Sequence, residues 1–130
     1  MKEILTQKAK EAMQSAYSPY SRFKVGAALL CKDGSIYTGC NIENASFSPT
    51  VCAERVAIFK AVSDGKREFS AIAVCGGKDG TLSEKFCYPC GVCRQVLSEF
   101  CEKDFIVYVM SDDDVKEYTL SGLLPESFEL

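Results

Sequence analysis

The stretch Ser48-Pro-Thr-Val-Cys52-Ala-Glu54-Arg55-Val-Ala-Ile-Phe-Lys-Ala61 decides how the rest of the chain is read. From Val56 onward it has the pattern of a buried helix, expected over about 51–63 and closed by Asp64-Gly65. Its first turn, however, crowds a cysteine, a glutamate and an arginine together. Polar groups at the start of an apolar helix cost desolvation unless something uses them.

Working outward, Val25-Gly-Ala-Ala-Leu-Leu-Cys31 reads as a buried strand, Asp33-Gly34 as a hairpin signal, and residues 35–40 as the returning strand. Ahead of these, Ile4, Leu5, Ala9, Ala12, Met13 and Ala16 form a helical stripe over residues 3–16, ended by Tyr17-Ser-Pro-Tyr20. Downstream, residues 70–75 read as a strand stopped by Gly76-Gly77. A helix over 91–102 is expected to bury Val92, Val96, Leu97 and Phe100. Phe105–Met110 is a continuous apolar strand of the kind found inside a covered sheet, and 115–120 is a weaker one.

The order α-β-β-α-β-α-β-β predicts a single α/β domain over residues 1–130. It would be a three-layer α/β/α sandwich on a mixed five-stranded sheet, with an antiparallel first hairpin. A parallel connection needs a crossover of about a dozen residues. Only Ser111-Asp-Asp-Asp114 links the last two strands, so these too should pair antiparallel.

Composition narrows the function. The net charge is −3 and no basic stripe is present, which argues against nucleic acid as a partner. No apolar run approaches the roughly 20 residues that span a membrane, and no signal-peptide pattern opens the chain, so a cytoplasmic protein is expected. The chain has no histidine, so acid/base work falls to other side chains. Its eight cysteines, in a reducing compartment, point to metal binding, redox chemistry or packing rather than disulfides.

The helix at 91 also opens on cysteines: Phe86-Cys87-Tyr-Pro89-Cys90-Gly-Val-Cys93-Arg94-Gln95. Helix N-termini favour the thiolate that binds metal. Cys52 and a Cys-x-x-Cys pair supply three thiolates and leave the fourth tetrahedral position to water, the pattern of a catalytic zinc. Glu54, two residues from a ligand, would move protons at that water. Each piece also has an ordinary reading: Cys52 as core, Glu54 as a first-turn glutamate, Arg55 as a surface residue. Cys90-Gly-Val-Cys93 could be a thioredoxin-type redox pair, but that motif directly follows a strand, and Ser83–Cys87 is a poor one. Cys87 makes a second Cys-x-x-Cys with Cys90, so spacing alone leaves the ligand set open. An iron–sulfur site would need another cysteine where Leu97 stands.

Cys52-Ala-Glu54 with Pro89-Cys90-Gly-Val-Cys93 matches the zinc deaminase signature, with cysteine in place of its histidine. The chain resembles the small, homotetrameric cytidine deaminases over nearly its whole length. Tyr20-Ser-Arg-Phe-Lys-Val-Gly-Ala-Ala28, Gly39-Cys-Asn41-Ile-Glu43-Asn-Ala45, Cys52–Arg55, Cys90–Gln95 and Leu123-Leu-Pro125 carry the likeness.

The resemblance implies one zinc per chain on Cys52, Cys90 and Cys93. It implies that Glu54 passes protons as water attacks C4 of cytosine and ammonia leaves. It assigns Asn41 and Glu43 to the sugar hydroxyls, Phe23 to the pyrimidine, Ala53 to the substrate, and Phe128 to a neighbouring subunit's pocket. Phe47 is a further candidate to cross a subunit boundary. Three thiolates over-neutralise Zn²⁺, and Arg55, resembling an arginine that bonds a ligand sulfur, would offset this, with Arg94 and Gln95 supporting the region. Cys31, Cys40, Cys75, Cys87 and Cys101 fall to packing or free thiols. The expected activity is conversion of cytidine and 2′-deoxycytidine to the uridine forms in pyrimidine salvage. The rivals are a blasticidin-S-type deaminase, which Asn41 and Glu43 argue against, and, from another class, a thiol redox or metal-binding protein.

Overall fold

The computed structural model describes residues 1–130. The strands are β1 (Phe23–Cys31), β2 (Ile36–Cys40), β3 (Phe69–Lys78), β4 (Ile106–Met110) and β5 (Val115–Thr119). The helices are α1 (Lys2–Met13), α2 (Ala53–Ser63), α3 (Gly91–Phe100) and the single turn α4 (Leu120–Leu123). One mixed sheet runs β2-β1-β3-β4-β5. Only β3 and β4 are parallel, and α3 forms the crossover between them. The first hairpin and the last strand pair are antiparallel, as chain length required.

Period-2 alternation gives the sheet two apolar faces. Ala27, Leu29, Ile72, Val74, Val107 and Val109 pack against Ala57, Ile58 and Ala61 of α2 and Leu97 of α3. Ala28, Ala71, Ala73, Cys75 and Met110 pack against Leu5, Ala9 and Met13 of α1. Two glycines let helices sit close. A Cβ on Gly26 would lie 2.1 Å from the Ala9 carbonyl oxygen, and one on Gly39 would lie 2.3 Å from that of Ala53. Gly39 thereby lets the start of α2 rest directly on β2.

Several expectations are corrected. β3 does not stop at Gly76-Gly77: both pair with β1, Gly76 opposite Val25 and Gly77 opposite Lys24. A Cβ on Gly77 would meet the Thr81 carbonyl oxygen at 1.6 Å, so this glycine admits a close backbone rather than ending a strand. Val92 is 58% exposed, and Cys93 and Leu97 are the residues that α3 buries. Helix α1 ends at Met13 rather than Ala16, because Tyr17 pairs with Ile42 and draws the chain into an extended path. Helix α2 starts at Ala53 rather than 51, because Val51 also pairs with Ile42. Helix α3 ends at Phe100 rather than 102, where Cys101 turns extended.

Register fixes where the helices begin. Gly26 of β1 lies between Cys40 of β2 and Cys75 of β3. The carboxyl ends of β2, β3 and β4 therefore share one edge of the molecule, the end at which open α/β sheets place their ligands. The N-termini of α2 and α3 meet there.

Candidate active site and metal centre

Cys52 is the N-cap of α2 and Cys90 the N-cap of α3, both in extended backbone and neither capping its helix through the side chain. Cys93 lies one turn into α3. The Cys52 and Cys90 sulfurs are 3.8 Å apart, those of Cys90 and Cys93 3.6 Å, and all three lie within 4.8 Å of one another. A tetrahedral zinc with Zn–S bonds of about 2.3 Å sets its sulfurs about 3.8 Å apart. The donor set therefore fits zinc, with one position left for a reactant. No fourth His, Cys, Asp or Glu joins the cluster.

Geometry groups Cys90 and Cys93, and not Cys87, with Cys52. The Cys87 thiol is outside the cluster, and burial pushes its pKa up to about 12, as suits a packing residue. All eight cysteines are free. The third sulfur, from Cys52, is a partner that a two-cysteine redox pair does not require.

The electrostatics favour negative charge on Cys52. Its interaction with the Cys93 thiol, and then hydrogen bonds from Arg55 and Cys90, hold its pKa well below the usual thiol range against the opposing effect of burial. Cys93 is shifted up by the same interaction and by burial. Arg55 Nη2 donates to the Cys52 sulfur at 3.4 Å. Its Nε is buried without a hydrogen-bond partner, and the interactions that raise its pKa are with Cys52 and Cys93. Glu54 is only 3% exposed, and burial pushes its pKa up to about 7. A carboxyl poised near neutrality can both take and give a proton.

Around this centre the expected substrate residues are tied together. Asn41 Oδ1 accepts from Val25 N at 2.8 Å, and its Nδ2 donates to the Phe23 carbonyl at 2.8 Å. The side chain thus stitches the end of β2 to β1, leaving one amide hydrogen and lone pairs for a ligand. Glu43 Oε1 accepts from the Tyr20 and Ser21 amides at 3.0 and 3.1 Å, and Oε2 accepts from the Ser21 hydroxyl. Phe23 is 37% exposed, which is more than a core aromatic needs. Ala53 is buried beside Glu54.

Arg94 ties the tail to α3, its Nε donating to the Pro89 carbonyl at 2.8 Å and Nη1 to the Leu123 carbonyl at 2.9 Å. Gln95 Nε2 donates to the Phe128 carbonyl at 3.0 Å, yet the Phe128 ring is 65% exposed. Phe47 is 75% exposed and held at φ 61°, a strained position for an aromatic. Sequence reasoning missed Ser21, because no spacing rule links a loop serine to a carboxylate 22 residues away.

The family model of the cytidine and deoxycytidylate deaminase zinc-binding region matches residues 1–109. The chain belongs to this family of zinc-dependent hydrolytic deaminases. A cytidine deaminase of Sporosarcina psychrophila is 52% identical over 127 residues, 97% of this chain and 90% of that one. One of Halalkalibacterium halodurans is 49% identical over 128 residues, 98% of this chain and 93% of that one. The crystal structure of cytidine deaminase from Burkholderia pseudomallei superposes with a TM-score of 0.91 at 43% identity, covering 98% of this chain and 99% of that chain.

Proposed function

We propose that the protein hydrolyses cytidine and 2′-deoxycytidine to uridine and 2′-deoxyuridine with release of ammonia, in pyrimidine salvage in the cytoplasm. The observation that carries this reading is the buried Glu54 carboxyl beside three convergent thiols that leave one coordination position open. Relatives at 52% and 49% identity, named cytidine deaminases, support the choice of substrate.

In this reading Cys52, Cys90 and Cys93 hold zinc, which supplies the acidity that makes water a nucleophile near neutral pH. Glu54 takes a proton from the attacking water and delivers it to ring N3 as the new C4–O bond forms. It then takes the proton of the new C4 hydroxyl and gives it to the C4 amine, so that the C4–N bond breaks, ammonia leaves and the carbonyl of uridine forms. Arg55 lowers the negative charge of three thiolates through Cys52. Phe23 packs the pyrimidine, Ala53 lines it, and Asn41 and Glu43 grip the sugar hydroxyls. Arg94 and Gln95 set the start of α3 and the tail.

The working assembly in this reading is a homotetramer in which chains share sites. Phe59 on α2, Val92 on α3, Phe47 and Phe128 are all exposed, and a second copy of the chain is the partner that would cover such apolar surface.

The loss of cytidine absorbance, with ammonia measured alongside, tests the reading. A chelator should abolish turnover and added zinc restore it. Glu54→Gln should retain zinc and lower kcat by about 10²–10⁴-fold. Absence of uridine formation, or near-normal turnover in Glu54→Gln, would overturn the proposal.

A further inference from the structure

We propose that Ser21 is a positioning residue for the nucleoside, its hydroxyl joining the group that meets the sugar to the group that meets the base. The inference rests on the reading of Glu43 and Phe23 given above. A serine hydroxyl has one proton to donate and lone pairs to accept with. Here the proton goes to Glu43 Oε2, and a lone pair accepts the Phe23 backbone N–H at 3.0 Å. One atom therefore sits between two substrate-facing residues that lie 20 positions apart in the chain.

The surroundings make the link directional. With the Tyr20 and Ser21 amides on Oε1, the Glu43 carboxylate is held by three donors from a single turn. These keep it ionised and fix its plane, leaving lone-pair capacity on Oε2 for a sugar hydroxyl. Phe23 is held from both sides, its N–H by Ser21 and its carbonyl by Asn41. The turn itself is strained: Arg22 has φ 61°, and Asp79, which faces it, has φ 55°. The Arg22 Nε–Asp79 Oδ1 bond of 2.9 Å and the Asp79 N–H on the Arg22 carbonyl at 2.7 Å lock that conformation. A left-handed arginine persists only where its neighbours over-determine it. Here it brings Ser21 Oγ back within reach of the Phe23 amide.

Removal of the hydroxyl should loosen both contacts without reaching the metal. In the zinc-loaded, full-length protein, Ser21→Ala should raise KM for cytidine about tenfold, the factor expected for one charge-assisted hydrogen bond. Its kcat should stay within about threefold and its zinc content should not change, and Ser21→Thr should recover most of the loss. With 2′,3′-dideoxycytidine, which lacks the hydroxyls that Glu43 would hold, the Ser21→Ala penalty should shrink to about threefold or less. Glu43→Gln serves as the reference arm. If Glu43→Gln raises KM for cytidine and Ser21→Ala does not, the positioning role is overturned while the sugar clamp stands. If neither variant moves KM, the clamp reading itself falls, and this inference with it. An equal loss in Ser21→Ala and Ser21→Thr, or a penalty indifferent to the sugar, would mark a merely structural loop residue and overturn the proposal.

Discussion

On one face of the sheet, α1 lies on Ala28, Ala71 and Ala73; on the other, α2 and α3 lie on Leu29, Val74, Val107 and their neighbours. Both faces close by apolar burial, and both use a glycine to admit a helix backbone. They differ in what stands at the helix starts. Helix α1 has Glu3 in its first turn and Lys10 in its last, an arrangement that suits the helix dipole and serves stability alone. Helices α2 and α3 instead put cysteine at the N-cap, where serine, threonine or aspartate would contribute about 1 kcal/mol. The forgone capping is offset by placement. An N-cap side chain is held at the positive end of the dipole by a backbone already ordered, so two helix starts present cysteine sulfurs to one point.

The sharpest way to break this comparison is to remove sulfurs one at a time. Cys52→Ser, Cys90→Ser and Cys93→Ser should each lose or severely weaken zinc and with it nearly all turnover. Cys87→Ser should keep one zinc per chain, although Cys87 is equally well spaced from Cys90. Metal analysis of the four purified variants decides the matter. Zinc loss from Cys87→Ser would show that the cluster had been misassigned.

A smaller effect comes from the two glycines. Gly26→Ala would press α1 at the Ala9 carbonyl oxygen and Met13 N; Gly39→Ala would press α2 at the Ala53 carbonyl oxygen and Ala57 N. Each should cost about 1–3 kcal/mol in metal-free unfolding, the usual range for overpacking. Only Gly39→Ala displaces a helix start that bears Cys52 of the thiol cluster and the buried Glu54, the proposed ligand and proton carrier. It should therefore weaken zinc about tenfold in chelator competition, with a matching fall in turnover, whereas Gly26→Ala should bind zinc normally. Equal zinc affinity in the two variants would mean that the chemistry does not depend on how α2 is seated.

Legibility in the sequence follows the same division. Strands of continuous Val, Ile and Ala, and cysteines at helix starts, were readable because each leaves a local pattern. The proposed ligand trio needed a resemblance to choose Cys90 and Cys93, since Cys87 has the same spacing. Gly76-Gly77 misled because glycine marks both a turn and a close backbone contact, and only the register with Lys24 and Val25 separates the two. Val92 misled because it fits the apolar stripe, although the inward side of that turn belongs to Cys93. Ser21 was invisible because Glu43, 22 residues away, comes within its reach only when β1 and β2 pair.

The smallest expected effect concerns the exposed end of the α2–α3 side. Gln95 fastens the Phe128 backbone to α3, but the ring points away from any cover the chain itself supplies. If this side of the sheet serves a neighbouring copy as well as its own metal, Phe128→Ala should raise KM for cytidine several-fold while leaving zinc content unchanged, a loss of about 1 kcal/mol. Reassembled hybrids distinguish a shared ring from a local one. A Phe128→Ala chain with intact Glu54, mixed with a Glu54→Gln chain that still has its aromatic, could receive that ring from its neighbour. Some sites in the mixture should then regain the low KM, although neither parent alone shows normal activity. Symmetry requires this of any assembly in which each chain lends and receives the same side chain. Absence of rescue, or full activity of a monomer at assay concentration, would confine Phe128 to its own chain and leave the cysteine and Glu54 chemistry as the part of this face that needs no partner.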